Sequence, residues 1–239
     1  MDPSVLRYVV REVSRLSLCF ALLAACGGKV ESSAVAFTPE EEARAVALEA
    51  TVRALAGDIG GRGLEAPETL ARAEAYLTQR WEAQGFEVER LPYAVGEHEV
   101  ANLQVVIPGA KNPEEIVVIG AHYDTCDLNP GANDNGSGVA AMLELSRAYA
   151  GTQPERTLRF VAFVNEEPPH FQRETMGSWV YARAAKEAGE QIVGMLSLET
   201  DRVDAYSTDH ILLFGLISKS KSPDDFAVVG DFLSFDPYA

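Results

Sequence analysis

"VVIGAHYDTCDLNPGANDNGSG", residues 117–138, changes character halfway along. Val117 to Ala121 is a continuous apolar run, as in a strand buried on both faces of a sheet. Directly after it come His122, Asp124, Asp127 and Asp134, set among asparagines and glycines. Carboxylates placed side by side repel one another. Such a loop is either fully solvated or arranged around a cation.

The same change recurs downstream. "RTLRFVAFVNEE", 156–167, runs apolar and ends on Glu166 and Glu167, and "QIVGMLSLET", 191–200, reaches Glu199. Between these strand-like runs the spacing predicts helices from about Ser137 to Ala150 and over "GSWVYARAAKEAG", 177–189. Upstream, a helix is expected to start at Thr38-Pro39-Glu40-Glu41, with Thr38 as cap, and another over 66–84, ended by Gly85. "FEVERLPYAV" and "EVANLQVVIPG" read as further strands. The alternation predicts an α/β fold, a mostly parallel central sheet with helices on both faces. Open sheets of this kind bind ligands beyond the carboxyl ends of their strands. Three successive strand ends would therefore carry a histidine and several acids to one edge.

Taken singly, each piece has a plain explanation. A His-x-Asp pair is commonly a hydrogen-bonded strand end, a Glu-Glu pair a solvated face, and an Asn-Asp-Asn-Gly-Ser-Gly run an ordinary loop. "GANDNGSG" has neither the dinucleotide fingerprint nor the P-loop lysine, and its aspartate would repel a phosphate. Together they suit a divalent cation, since imidazole and carboxylate are good ligands for Zn²⁺. Two cations about 3.5–4 Å apart would let one carboxylate bridge them, and a bound metal lowers the pKa of water toward about 7. Of two neighbouring glutamates, one can then hold metal and the other accept the proton.

"GAHYDT", "GANDNGSGVA", "NEEPP" with a later "MGS", and "MLSLE", in that order, resemble the co-catalytic zinc exopeptidases of metallopeptidase family twenty-eight. The resemblance covers roughly residues 95–200. The family includes secreted aminopeptidases, glutamate carboxypeptidases and a divergent branch of glutaminyl cyclases. The resemblance implies two zinc ions. His122 would bind one of them, with Asp124 orienting its imidazole, and Asp134 would bridge the pair. Glu166 would be the general base, Glu167 a ligand of the second metal and Glu199 a ligand of the first. It also implies a cis peptide between Asp134 and Asn135.

After Glu199 the sequence departs from the family pattern. The family places one more histidine ligand well downstream, whereas here only His210 follows, eleven residues on. "DDFAVVGD", 224–231, regains a faint similarity. A domain over 39–239 lacking the family's C-terminal part is the expectation, produced by a frame shift with truncation, a natural variant or a fragment. His210 could substitute as ligand or lie in solvent. His170 is expected at the pocket rim and His98 on the surface. Three functions remain open on this reading: a metal-dependent exopeptidase acting on peptides or dipeptides, a glutaminyl-cyclase-like acyltransferase, and an inactive truncated relative.

The rest of the chain sets the context. Its 239 residues, 47% hydrophobic and 23% charged, suffice for one substantial core. A formal net charge of -16 disfavours nucleic acid as a partner. Arg7, Arg11 and Arg15 precede the short apolar run "LSLCFALLAAC". That is the pattern of an export signal, too short to span a bilayer comfortably. "LAAC" resembles a bacterial lipobox. It implies a signal over 1–25, lipid on Cys26, a linker over 26–38 and an anchored protein of the cell envelope. A plain signal peptide or a short buried helix is the alternative. Cys126 would then be the one cysteine of the mature chain besides Cys26, either a small filler or a soft metal ligand.

Overall fold

Residues 38–200 and 213–214 are described in the computed structural model of the chain. The expected export signal over 1–25, Cys26, nearly all of the expected linker, His210 and residues 224–231 lie outside the described residues.

The sheet is built from three parallel strands and a hairpin. β1 (Glu89–Val95) and β2 (His98–Ile107) are joined through Gly96 and Glu97, with Gly96 at φ 62°. So short a link permits antiparallel pairing alone, because a parallel return needs a crossover of a dozen residues or more. β2 pairs antiparallel with β4 (Arg156–Phe163), Leu103 opposite Ala162. β3 (Asn112–His122) lies between β4 and β5 (Gln191–Ser197) and is parallel to both. The strand order is β1-β2-β4-β3-β5. The expected mostly parallel sheet is thus a mixed one, its parallel part confined to β3, β4 and β5. The hairpin turn at Gly96 is the feature that the alternation of elements did not convey.

The crossovers carry the helices. α1 (Pro39–Val52) continues into a wider π-helical turn, Arg53–Ile59, and α2 (Pro67–Ala83) follows. Gly85, at φ 88°, ends α2 as expected, its N–H bonded to the Glu82 carbonyl. α3 (Gly138–Tyr149) links β3 to β4, and α4 (Gly177–Glu187) links β4 to β5. Leu77 and Trp81 of α2 and Met142 and Leu143 of α3 pack on one sheet face with Leu103, Val105 and Phe160. Tyr181 and Ala185 of α4 pack on the other with Val118, Val161 and Met195. Helices therefore cover both faces. Fully buried side chains such as Leu77, Leu103 and Phe160 each contribute about 1.5–3 kcal/mol. Trp81 also donates its indole N–H to Ser146 Oγ at 3.0 Å, locking α2 to α3.

This packing fixes the strand ends. His122 stands opposite Phe163, and Gly120 opposite Ser197, so β3 and β4 finish level and β5 ends two residues before them. Beyond β5, Glu199–Thr200 forms a two-residue strand, β6, paired antiparallel with Leu213–Phe214, β7. Among the described residues no helix is long and apolar enough to cross a membrane.

Candidate metal centre

His122 is the last residue of β3 and is 3% exposed. Its Nε2 lies 3.1 Å from Asp134 Oδ1, 3.1 Å from Glu199 Oε1 and 3.8 Å from Glu166 Oε2. One ring nitrogen thus faces carboxylates from three separate segments, those that follow β3, β4 and β5. Its Nδ1 lies 3.5 Å from Asp124 Oδ1, too far for a good hydrogen bond, with no closer partner among the described residues.

Asp124, also 3% exposed, has a second task that the sequence did not disclose. Its Oδ1 accepts the backbone N–H of Glu166 and its Oδ2 that of Glu167, each at 3.1 Å. The chain can present both N–H groups because Asn165, just past β4, turns at φ 58°, a left-handed conformation that asparagine tolerates. Asn102 holds the same corner from β2. Its Oδ1 accepts the Val164 N–H at 3.1 Å and its Nδ2 donates to the Gly177 carbonyl at 2.8 Å.

Asp134 is delivered by the loop that precedes α3. The peptide between Asp134 and Asn135 is cis. Asn135 is fully buried, donating from Nδ2 to the Leu198 carbonyl at 2.8 Å and accepting the Gly138 N–H on Oδ1 at 3.0 Å. One side chain thereby ties the start of α3 to the residue before Glu199. Asp134 turns Oδ1 toward His122 Nε2 while its side chain stays 59% exposed.

Burial and crowding shape the titration of the cluster. Burial works against a charged His122, but Glu199, Asp124 and Asp134 outweigh it and hold the imidazole pKa well above its ordinary value. Burial pushes the Glu166 carboxyl up to about 8, with Glu199, Asp124 and Glu167 adding to the rise against an opposing His122. Glu167 is raised to about 7, by burial first and then by Asp134. So much carboxylate in one place holds protons when no cation is present.

Two groups of ligating atoms lie close enough to share an ion: His122 with Asp134 and Glu199, and His122 with Glu166 and Glu167. Zinc held at about 2.0–2.2 Å by N and O donors in a tetrahedron separates them by roughly 3.3 Å. The 3.1 Å spacings at His122 Nε2 fit that figure, and a nitrogen with carboxylate oxygens is a suitable donor set. Cys126 belongs to neither group. It is half-buried, and burial, Glu167 and Asp127 raise its thiol pKa. Asp127 is exposed on the loop, at φ 51°. His170 is half-buried, 3.0 Å from Thr175 Oγ1, and His98 is exposed. Arg62 escaped the sequence reading. It is fully buried beneath the site loop, and its glycine-flanked setting, Gly60-Gly61-Arg62-Gly63, was the available signal.

A histidine–carboxylate cluster at the carboxyl ends of parallel strands stands where open α/β sheets bind their ligands. Residues 102–218 match the family model described as peptidase family M28. The chain is 30% identical over 156 residues to the uncharacterized protein YfbL of Escherichia coli, covering 62% of this chain and 48% of that one. It is 44% identical over 66 residues to the aminopeptidase YwaD of Bacillus subtilis, 26% of this chain and 14% of the relative. A probable zinc metalloprotease of Pyrenophora tritici-repentis is 30% identical over 119 residues, 46% of this chain and 26% of the relative. The chain thus spans about half, or less, of the length of these relatives. The crystal structure of LapB from Legionella pneumophila shares the fold at TM-score 0.54 and 24% identity, covering 68% of this chain and 45% of that one. So does the glutaminyl cyclase of Fimbriiglobus ruber, at 0.55 and 23%, covering 69% and 63%.

Proposed function

We propose that the protein is a zinc-dependent exopeptidase of the aminopeptidase kind, with Glu166 as general base. The observation that carries this is the meeting of His122, Asp134, Glu199 and Glu166 around one imidazole nitrogen. A bound metal would polarise the scissile carbonyl and the attacking water. His122, Asp134, Glu167 and Glu199 are the residues that would hold it. Glu166 Oε2, at the inner side of the cluster, would take the proton from water and return it to the leaving amine. Asp124 keeps Glu166 and Glu167 in place through their N–H groups, and the surplus of acid would attract the free ammonium of a peptide. The fold is common to aminopeptidases and glutaminyl cyclases, so the preference for hydrolysis rests on Asp134 and the Asn-Gly-Ser-Gly that follows it. From the N-terminal sequence we also propose export to the cell envelope, with a lipid on Cys26.

The test is elemental analysis of zinc per chain, paired with hydrolysis of aminoacyl chromogenic substrates before and after chelation. Bound zinc and chelator-sensitive hydrolysis are expected. A zinc-loaded protein that cyclises a glutaminyl peptide and hydrolyses nothing would overturn the hydrolase reading, and a protein that takes up no zinc would overturn both.

Metal uptake should depend on pH. Ligands must lose their protons to bind, and in the metal-free protein Glu167 and Glu166 hold theirs up to about 7 and 8. Apparent zinc affinity is therefore expected to climb as pH rises through these values and on until His122, whose pKa is also raised, has lost its proton, with protons released on binding across that range. Chelator competition at a series of pH values measures this, and a flat profile would contradict it. The metal-free fold has the opposite slope. These raised carboxyl pKa values contribute stability that is complete below the ordinary value of 4.5 and lost as pH climbs through about 7 and 8.

A further inference from the structure

Arg62 is buried to 0% exposure, and a guanidinium taken out of water must find partners for its donors. Those it finds are neutral backbone carbonyls. Nε donates to Tyr123 O at 2.9 Å. Nη1 serves Leu55 O and Gly60 O at 2.9 Å and Pro130 O at 2.7 Å. Nη2 donates to Gly131 O at 3.1 Å. The backbone of Arg62 is itself pinned: its N–H donates to Thr125 Oγ1 at 2.8 Å, and its carbonyl accepts the Thr125 N–H at 3.0 Å. A Cβ on Gly61 would stand 2.8 Å from the backbone of Leu128, so this segment presses directly on the site loop.

The carbonyl of Gly131 is the junction. It accepts Arg62 Nη2 on one side and the N–H of Gly136 at 3.0 Å on the other, and Asp134 lies between Gly131 and Gly136. The Asp134 side chain is largely exposed, so its direction is set by the loop backbone more than by packing around the carboxylate. We infer that Arg62 is a positioning residue for Asp134: by gripping Pro130 and Gly131 it fixes the loop that aims this carboxylate at His122. Its charge, drawn toward Asp124 and Asp134, also offsets part of their repulsion. The geometry stands alone, while its consequence for metal rests on the function proposed above.

The test is Arg62→Lys, which keeps the charge but offers one ammonium where five carbonyls converge. In metal-free protein, amide exchange over 131–136 should quicken at least about tenfold while β3, β4 and β5 keep their protection. Zinc affinity, by chelator competition, should fall about tenfold or more. Unchanged loop exchange, or a rise spread evenly over the sheet, would overturn the inference. So would a loosened loop that binds zinc as tightly as the wild type does. If Arg62→Lys does not fold, Thr125→Val, near-isosteric and lacking the acceptor for the Arg62 N–H, decides by the same two readings in the same direction. Should the wild type bind no zinc, the function proposed above fails while the exchange measurement still judges Arg62.

Discussion

Glu166→Gln is expected to lower peptide hydrolysis by about 10²–10⁴-fold, the range typical of a removed general base. The amide is nearly isosteric but cannot take a proton from water. Little else changes, since the Glu166 N–H still bonds Asp124 Oδ1 and the side chain is 16% exposed, in the same half-shielded place. Metal content should stay at the wild-type level, because His122, Asp134, Glu167 and Glu199 are untouched. The comparison of kcat at saturating zinc, with zinc per chain counted in both proteins, separates loss of the base from loss of metal. A variant that keeps its zinc and retains activity within a factor of a few would show that another group accepts the proton.

Asp124→Asn should cost about 10–100-fold in metal affinity or activity, the usual effect of altering a group that supports a ligand. The aspartate uses both oxygens on backbone N–H groups, of Glu166 and of Glu167. An asparagine retains one acceptor and turns an NH₂ toward the other N–H, donor against donor in a buried place. Its lost charge also removes one of the groups that favour a protonated His122. The β4 corner should loosen, and Glu166 and Glu167 should drift together. Zinc titration and kcat measured on one preparation would show this as a joint decline. Wild-type values in both would mean that Asn165 and Asn102 suffice to hold the corner.

Much of the site was legible because it lies where apolar runs stop. His122, Glu166, Glu167 and Glu199 each follow a strand that sequence alone delimits to within a few residues. The structure then brings Glu166 and Glu199, with Asp134, to within 3.8 Å of His122 Nε2. Helices α2, α3 and α4 begin and end within two residues of their expected limits. The direction of the first two strands was not legible, since a strand's pattern of burial is the same whichever way its neighbour runs. Nor was the support. Asn102, Asn135 and Arg62 act on backbone groups 61 or more positions away for their principal bonds to the sheet and site loops. Nothing in their local sequence records such distant partners.

The partners at the heart of the cluster are just as far apart along the chain. His122 and Glu199 stand 77 positions from each other, with α3, β4, α4 and β5 between them. On a chain emerging from the ribosome in order, His122, Asp124 and Asp134 come first, still without the glutamates. On the function proposed above, the full ligand set would then wait until β5 has docked beside β3 and carried Glu199 to the imidazole. The ion would act as a late seal on a finished sheet, and a nascent chain stalled before residue 199 should emerge without its full complement of ligands.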